Sequence, residues 1–285
     1  MSRHYIQNVA LVCRDRGPVL TALCREMEAW LSERNVGCMT LVHEQASSDL
    51  RSAIAGADLV IVLGGDGTFV GVARKVAYDP LPILGVNLGR VGFLAEVAPE
   101  SWKGAFTRMI ETGVRLESGM VLRYSLIRDG VTLWQGLAVN DLVVSRGGPA
   151  RLVSLVLTLD GIRLAMMRAD GLIVSTPTGS TGYASAAGGP LLHPSINAFE
   201  ITPICPFMNT FSPMVVAGET RLSVMVDASG QGICFSVDGQ ESQELQQGDR
   251  LETTGLRNGI RFARIDDEGY FAKLRSAGFL RDFVE

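Results

Sequence analysis

The chain has 285 residues, of which 47% are hydrophobic and 20% charged, and its formal net charge is −4. This composition is typical of a globular protein, and the length predicts one large domain or two modest ones. The acidic balance argues against nucleic acid or an anionic membrane as the main partner, because both bind basic surfaces.

The cysteines and histidines argue against a structural metal site. Five cysteines and three histidines are scattered along the chain, with no C-x-x-C pair and no metal-ligand spacing. We therefore predict no metal held by protein ligands alone. An odd, unpatterned set of cysteines fits a reducing compartment, and the start lacks the long apolar stretch of a signal peptide. The expected location is the cytoplasm.

The first part of the chain alternates between strand and helix patterns. Strands are predicted at "VALVC", "CMTLVHE", "DLVIVLGG" and "PILGVN". Helices are predicted at "TALCREMEAWLSERNVG", ending at Gly37, at "TFVGVARKVAYD", and at "ESWKGAFTRMIETG", stopping at Gly113. Such alternation predicts a Rossmann-like α/β domain with a parallel sheet, over residues 1–117.

The pattern changes near residue 118 to alternating apolar residues interrupted by Asp-Gly pairs. The pairs begin at Asp129, Asp160 and Asp238, and each suits a tight hairpin turn with positive φ. We predict a β-rich domain over residues 118–265. The tail "YFAKLRSAGFLRDF" has helical spacing again, and segment 266–285 is expected to pack back on the first domain.

A glycine-rich loop follows the third predicted strand. It lacks the lysine of a P-loop, and its glycines do not fit G-x-G-x-x-G. Glycines after a buried strand and before a helix still let backbone N–H groups approach a phosphate. Asp66 is unusual in a phosphate cradle: either it caps the helix, or it faces a hydroxyl or a magnesium ion. The predicted phosphate loop comprises Gly64, Gly65, Gly67 and Thr68.

A second unusual stretch, from Gly171 to Phe199, contains no Asp, Glu, Lys or Arg. Hydroxyl groups and glycine amides there can bind adenine, ribose and phosphate oxygens, and Tyr183 can stack on a base. The alternative is a Ser/Thr-Gly surface loop. For His193 in this stretch, a packed core position is favoured over a ligand-binding role.

Asn140 and Asp141 stand inside an apolar strand pattern, where burying them without partners costs a few kcal/mol each. Either they bond to neighbouring backbone, or they meet the hydroxyls of a ligand. The sequence alone leaves both interpretations open.

Taken together, these motifs resemble the NAD kinase family. Residues 64–68 resemble its GGDG motif, which diacylglycerol kinases, sphingosine kinases and 6-phosphofructokinases share in similar form. More specific are "GVNLGRVGFLAE" (85–96) and, most of all, "DGLIVSTPTGSTGYASAAGGP" (170–190). Asn140-Asp141 resembles the family's Asn-Glu/Asp pair, and "SVDGQ" (236–240) matches a late family signature.

The resemblance implies phosphoryl transfer from ATP, another triphosphate or polyphosphate to the 2′-hydroxyl of the adenosine ribose of NAD, giving NADP. It implies that Asp66 is catalytic, that magnesium or manganese accompanies the nucleotide, and that the protein is a homodimer or homotetramer. The NAD site would comprise Asp66, Gly67, Asn140, Asp141, Arg151, Arg168, Asp170, Thr181, Gly182, Tyr183, Ala184, Ser185, Ala186 and Gln240.

One stretch departs from the family pattern. After "ITPICP" the family continues with His-Ser-Leu and then has an arginine before proline, whereas this chain has Phe207 to Ser212 before Pro213. Two alternatives to an NAD kinase are a dinucleotide-binding sensor without turnover and a lipid or sugar kinase that shares the glycine loop. The second leaves "TPTGSTGY" and "NLGRVGFL" unexplained.

Overall fold

The computed structural model describes residues 4–42, 50–78, 81–88, 92–147, 152–209, 211–227, 232–265 and 269–280. The chain divides into two compact units, one of residues 1–118 with 260–285 and the other of residues 119–259. The chain passes back from the second unit to the first at residue 260, inside a continuous strand. The sequence pattern therefore does not change at that boundary. The domain bounds drawn from the sequence remain a prediction.

Unit 1 is an α/β layer. Its helices are α1 (Pro18–Ser32), α2 (Leu50–Ala53), α3 (Asp66–Val76), α4 (Trp102–Thr112) and, after unit 2, α6 (Tyr270–Ser276). Its strands are β1 (Asn8–Cys13), β2 (Gly37–Val42), β3 (Leu59–Gly64) and β4 (Pro82–Asn87), with parts of β5 (Arg115–Arg128) and β16 (Arg250–Arg264).

The sheet of unit 1 is parallel in the order β2-β1-β3-β4, and the end of β16 lies beside β4. The apolar runs that predicted β3 and β4 are buried on both faces, as expected of central parallel strands. The order reverses between β1 and β3, and ligands of open α/β sheets bind at the carboxyl ends of strands beside such a reversal. The glycine-rich loop follows β3 at that end.

Helix α1 ends five residues earlier than the sequence predicted. It stops at Ser32, Asn35 adopts a φ of 59°, and Gly37 already begins β2. The chain therefore turns at Asn35, because asparagine tolerates the left-handed conformation. Helix α4 does stop at Gly113, whose φ is 71°.

Unit 2 is antiparallel. After β5 its strands are β6 (Val131–Ala138), β7 (Asp141–Arg146), β8 (Val153–Leu159), β9 (Ile162–Ala169), β10 (Gly171–Ser175), β11 (Ala198–Ile204), β12 (Met214–Ala217), β13 (Leu222–Val226), β14 (Ile233–Val237), β15 (Glu241–Leu245) and β16. Helix α5 (Tyr183–Ala186) and two 3₁₀ turns (Gly179–Thr181 and Phe207–Asn209) complete it.

Six strands of unit 2 form one sheet in the order β12-β11-β10-β7-β14-β15. The other strands pair as β16-β13-β8-β9 and β5-β6. Inward-facing residues of the six-stranded sheet and of these other strands share one core, which includes Phe199 and Phe235. All three predicted Asp-Gly turns are confirmed: Asp129, Asp160 and Asp238 have φ values of 50°, 48° and 52°. They close the hairpins β5-β6, β8-β9 and β14-β15.

The last helix packs on the first unit, as predicted. The ring centroids of Tyr270 and Phe279 lie 5.8 and 6.4 Å from that of Phe93, edge to face. Glu96, three residues after Phe93, pairs with both Arg264 and Lys273. Aromatic and ionic contacts therefore fix the helix against segment 92–96.

Within the described ranges, no helix is long and apolar enough to span a bilayer.

Candidate active site

The glycine-rich loop joins the end of β3 directly to the start of α3. Gly65 precedes the helix in an extended conformation, and its carbonyl oxygen accepts the N–H of Phe69 at 3.0 Å. A methyl group added at Gly65 or Gly67 would meet no atom within 4 Å. Packing therefore does not require these two glycines, and the loop borders open space at the amino end of a helix, where anions bind.

Asp66 does not cap its helix, so that interpretation of the sequence is wrong. Its carboxylate instead accepts three backbone N–H groups, from Phe93 at 2.7 Å, Leu94 at 3.2 Å and Ala95 at 3.3 Å. The side chain is half-buried. An ionised carboxylate has about four acceptor sites, so three amides leave room for one further hydrogen-bond donor or a cation.

Gly92 lets the chain pass close to this carboxylate. A Cβ at this position would stand 2.5 Å from Cγ and 2.6 Å from Oδ2 of Asp66, closer than real Cβ atoms approach. The motif "GVNLGRVGFLAE" is recognisable in the sequence, but this reason for its third glycine is a contact that only the structure shows. The motif supplies the amides that hold Asp66.

Asn140 lies in the turn between β6 and β7. Its backbone carbonyl accepts the N–H of Thr176 at 2.9 Å and the hydroxyl of Ser175 at 3.2 Å. Its side-chain Oδ1, in contrast, is buried without a hydrogen-bond partner. A buried polar atom without a partner is costly, so this atom is a candidate for a ligand contact.

The hydroxyl-rich loop packs against the same turn. Thr176 donates its hydroxyl to the Val139 carbonyl at 2.6 Å and accepts the N–H of Gly179 at 3.0 Å. Residues 175–180 are buried, which contradicts the surface-loop interpretation for this half of the loop. The predicted NAD-binding residues that follow differ in their burial. Ala184 is buried, Thr181 and Ser185 are half-buried, and Gly182, Tyr183 and Ala186 are exposed.

Asp141, the first residue of β7, stands beside a second carboxylate. Burial and, to a lesser extent, the charge of Asp238 together raise the pKa of Asp141 to about 7. Asp238 accepts the N–H groups of residues 139, 140 and 141. In the sequence Asp238 is recognisable only as a turn residue within "SVDGQ", and an Asp-Gly turn inside a family motif is the one signal of a further role.

Other predicted site residues are not brought to this cluster. Arg168 is the penultimate residue of β9, and its guanidinium lies 5.7 Å from the ring centroid of Phe207. Asp170 pairs with Arg146 at 3.1 Å. Ser175 pairs with Asp141 at one end of β10, whereas Asp170 precedes the other end, roughly 17 Å away at 3.3 Å per residue. Gln240 is the exception: it is exposed in the β14-β15 turn, two residues after Asp238, whose carboxylate bonds to residues 139–141.

Three further positions singled out in the sequence are Arg151, His193 and the divergent stretch that begins at Phe207. Arg151 lies outside the described residues. His193 is exposed and bonds to the Ser195 hydroxyl at 2.7 Å, so its predicted core position is wrong. Phe207 and Met208 of the divergent stretch are exposed, and Met208 has a φ of 56°.

Glu200 is a fully buried carboxyl group on β11, beside the loop of residues 176–189. Its Oε2 accepts the Thr202 hydroxyl at 3.1 Å, and its Oε1 has no partner. Burial raises the pKa of Glu200 to about 7, against a smaller opposing effect of the Thr202 hydroxyl. Its proton is thus bound more tightly in the folded chain than in the unfolded chain.

Glu200→Gln is expected to stabilise the protein at pH 8 but not at pH 4.5. Because the pKa rises on folding from 4.5 to about 7, the wild type loses the corresponding stability as pH rises through that window. The loss amounts to about 3 kcal/mol for one group. Urea unfolding of both proteins at the two pH values measures it, with the exposed Glu100→Gln as control. An equal difference between wild type and variant at both pH values contradicts the assignment.

Comparison with known proteins agrees with these two clusters. Residues 48–114 match the model of the ATP-NAD kinase N-terminal domain, and residues 139–264 match that of the ATP-NAD kinase C-terminal domain. The chain belongs to the ATP-NAD kinase family. Both loops described above fall within the matched ranges, Asp66 in the first and Asn140 to Ala186 in the second.

Relatives in the ATP-NAD kinase family match over nearly the whole chain. A Nitratidesulfovibrio vulgaris (strain DP4) protein named NAD kinase is 46% identical over 279 residues, covering 98% of this chain and 93% of the relative. The NAD kinase of Geotalea daltonii is 34% identical, covering 95% of this chain and 98% of the relative.

Two solved structures share the fold. An Archaeoglobus fulgidus NAD kinase in complex with ATP is 28% identical, with a TM-score of 0.73 over 95% of this chain and 100% of that one. A yeast NADH kinase complexed with NADH has a TM-score of 0.85 at 24% identity, over 99% of this chain and 90% of that one. The second likeness concerns the fold alone.

Proposed function

We propose that this member of the ATP-NAD kinase family is an NAD kinase: it transfers a phosphoryl group from ATP, or from another triphosphate or polyphosphate, to the 2′-hydroxyl of the adenosine ribose of NAD. The products are NADP and the shortened donor. The observation that carries the proposal is the 46% identity to a protein named NAD kinase over 98% of the chain.

Asp66 is proposed to act on the hydroxyl. The bond from the terminal phosphorus to its bridging oxygen breaks, a bond from the ribose oxygen forms, and Asp66 takes the hydroxyl proton. The three amides from residues 93–95 support this role because they fix the carboxylate and leave one acceptor site. Phosphoryl transfer depends mainly on alignment and charge stabilisation, which a held carboxylate and the loop amides favour.

The NAD site is proposed to include the turn at 139–141 and the loop at 176–186. The partnerless Oδ1 of Asn140 supports this, because an asparagine amide matches the donor and acceptor edge of adenine. Tyr183, with 49% of its surface exposed, has a ring available for stacking on a base.

A divalent cation fits the residues of the glycine-rich loop. Mg²⁺ keeps several waters and binds substrate phosphates, so it would lie beside the loop with the nucleotide while the remaining acceptor site of Asp66 takes the ribose hydroxyl. When bound with the nucleotide, Mg²⁺ or Mn²⁺ would neutralise charge on the transferred phosphoryl group. No lysine is then needed in the loop.

The five free thiols fit a cytoplasmic location.

Arg168 and Asp170 support an oligomer. They lie at the far end of β10 from the turn at 139–141, so in a single chain they do not reach the cluster there. We propose a homodimer or homotetramer in which these two residues serve the NAD site of a neighbouring copy.

Mixing two inactive variants tests this arrangement. Asp66→Asn and Asp170→Ala chains, co-expressed with different tags, should regain activity because in mixed dimers one site keeps both residues. Random pairing would restore about a quarter of the sites. No recovery in purified mixed oligomers contradicts a shared site.

The function itself is tested by incubating the protein with NAD, Mg²⁺ and a panel of ATP, other triphosphates and polyphosphate, and measuring NADP. Formation of NADP is the expected result, and the panel identifies the donor. NAD binding without product would favour the sensor alternative. Neither binding nor product would favour a kinase for another acceptor.

A further inference from the structure

The carboxylate of Asp238 reaches across from the β14-β15 turn to the β6-β7 turn. Its Oδ1 accepts the N–H groups of Asn140 at 2.7 Å and Asp141 at 3.1 Å, and its Oδ2 accepts that of Val139 at 3.1 Å. The N–H of Asp238 in turn donates to the Asp141 carbonyl at 2.9 Å. Four hydrogen bonds therefore join one aspartate to three successive residues.

These bonds fix the turn from one side, and the hydroxyl-rich loop fixes it from the other. The carbonyl of Asn140 is held by Ser175 and Thr176, while its N–H is held by Asp238. With its N–H and its carbonyl both bonded, the backbone of Asn140 is fixed, while its side-chain Oδ1 stays without a protein partner. Preorganised polar groups of this kind bind a ligand without a further ordering cost.

Asp238 also acts on Asp141 through its charge. Asp141 is buried, and Asp238 is the charged group among the described residues whose field raises its pKa beyond the effect of burial. Below pH 7 Asp141 is therefore a neutral carboxyl group that can donate as well as accept a hydrogen bond. The same aspartate thus controls both the geometry and the protonation of the pair.

We propose that Asp238 is a positioning residue for dinucleotide binding, which holds the backbone of residues 139–141 so that Asn140 and Asp141 meet the substrate. This inference rests on the proposed NAD kinase activity. In this proposal Asp238 does not contact the reacting atoms. Its effect is therefore expected in the binding of NAD rather than in the chemical step.

Two variants and a matched control test the proposal in the full chain. Asp238→Asn places an amide nitrogen against at least one of the three N–H groups, and Asp238→Gly removes both acceptor oxygens while keeping a residue suited to a φ of 52°. Asp129→Asn is the control, because Asp129 occupies the same kind of Asp-Gly turn with a φ of 50°. In the described part of the chain, no hydrogen bond or ion pair joins Asp129 to residues 139–141.

Both Asp238 variants are expected to raise the KM for NAD by about 10- to 100-fold, since charge-assisted hydrogen bonds are lost. The kcat and the KM for the donor should stay within about threefold, as should every parameter of the control. The pH profile of the KM for NAD should show an inflection near pH 7, and Asp238→Asn should move it to lower pH.

A purely structural role would lower the amount of active enzyme and leave the KM and the inflection unchanged. Unchanged values of both, in variants that remain folded by circular dichroism, overturn the proposal. An equal rise of the KM for NAD in the control variant Asp129→Asn would also overturn the proposal. Failure of the proposed function is a different result: the wild type itself would then make no NADP.

Discussion

Asp66→Asn is expected to lower kcat by at least about 10²-fold and to leave NAD affinity within a few-fold. The variant keeps the size of the side chain but cannot take the hydroxyl proton. It also turns an amide nitrogen toward one of the N–H groups of residues 93–95, so segment 92–96 is expected to loosen. Steady-state kinetics and NAD titration measure the two effects.

Gly92→Ala separates the chemical role of Asp66 from its anchoring role. The added methyl group pushes against the Asp66 carboxylate but leaves its chemistry intact. If Asp66 is the base, Asp66→Asn should be at least about tenfold slower than Gly92→Ala. Equal losses in both variants would assign Asp66 to anchoring alone. Near-normal turnover of Asp66→Asn would remove it from the mechanism altogether.

Gly179→Ala is expected to destabilise the protein by about 2–3 kcal/mol and to weaken NAD binding by more than about tenfold. A Cβ at this position would stand 2.6 Å from the carbonyl carbon and 2.7 Å from the Cα of Asn140. Backbone cannot swing aside as a flexible side chain can. The hydroxyl-rich loop and the Asn140 turn must therefore separate.

Thermal unfolding and NAD titration of Gly179→Ala check this prediction. Gly104→Ala in helix α4 is the matched control, because its added methyl group approaches no atom closer than 3.9 Å. The control should be neutral or slightly stabilising, since alanine favours a helix. Normal NAD affinity in Gly179→Ala would mean that the close approach of the two segments is not needed for binding.

Much of the fold could be predicted from local patterns. Buried apolar runs identified β3 and β4, and Asp-Gly pairs identified three hairpins, because both signals depend on neighbouring residues only. The end of α1 was misplaced because Asn35, which turns the chain, carries a weaker signal than the glycine two residues later.

The candidate site was predictable as a list of residues but not as an arrangement. Glycines, hydroxyls and the lone acid identified residues 64–68 and 176–186. The bonds from Asp66 to residues 93–95 and from Asp238 to residues 139–141 span 27 to 99 positions in sequence. No local pattern encodes contacts at such separations, so the partners of both aspartates required the structure.

The contacts of Phe93 and Glu96 with the last helix bear on how the protein is made. A chain still attached to the ribosome, with residues 264–279 inside the exit tunnel, has neither Tyr270 nor Lys273 available to brace the segment that grips Asp66. The phosphate loop is synthesised early, yet residues 270–273, which brace segment 92–96, are synthesised only after the whole of unit 2. The segment that holds Asp66 therefore reaches its final packing only after residues 270–273 have left the exit tunnel.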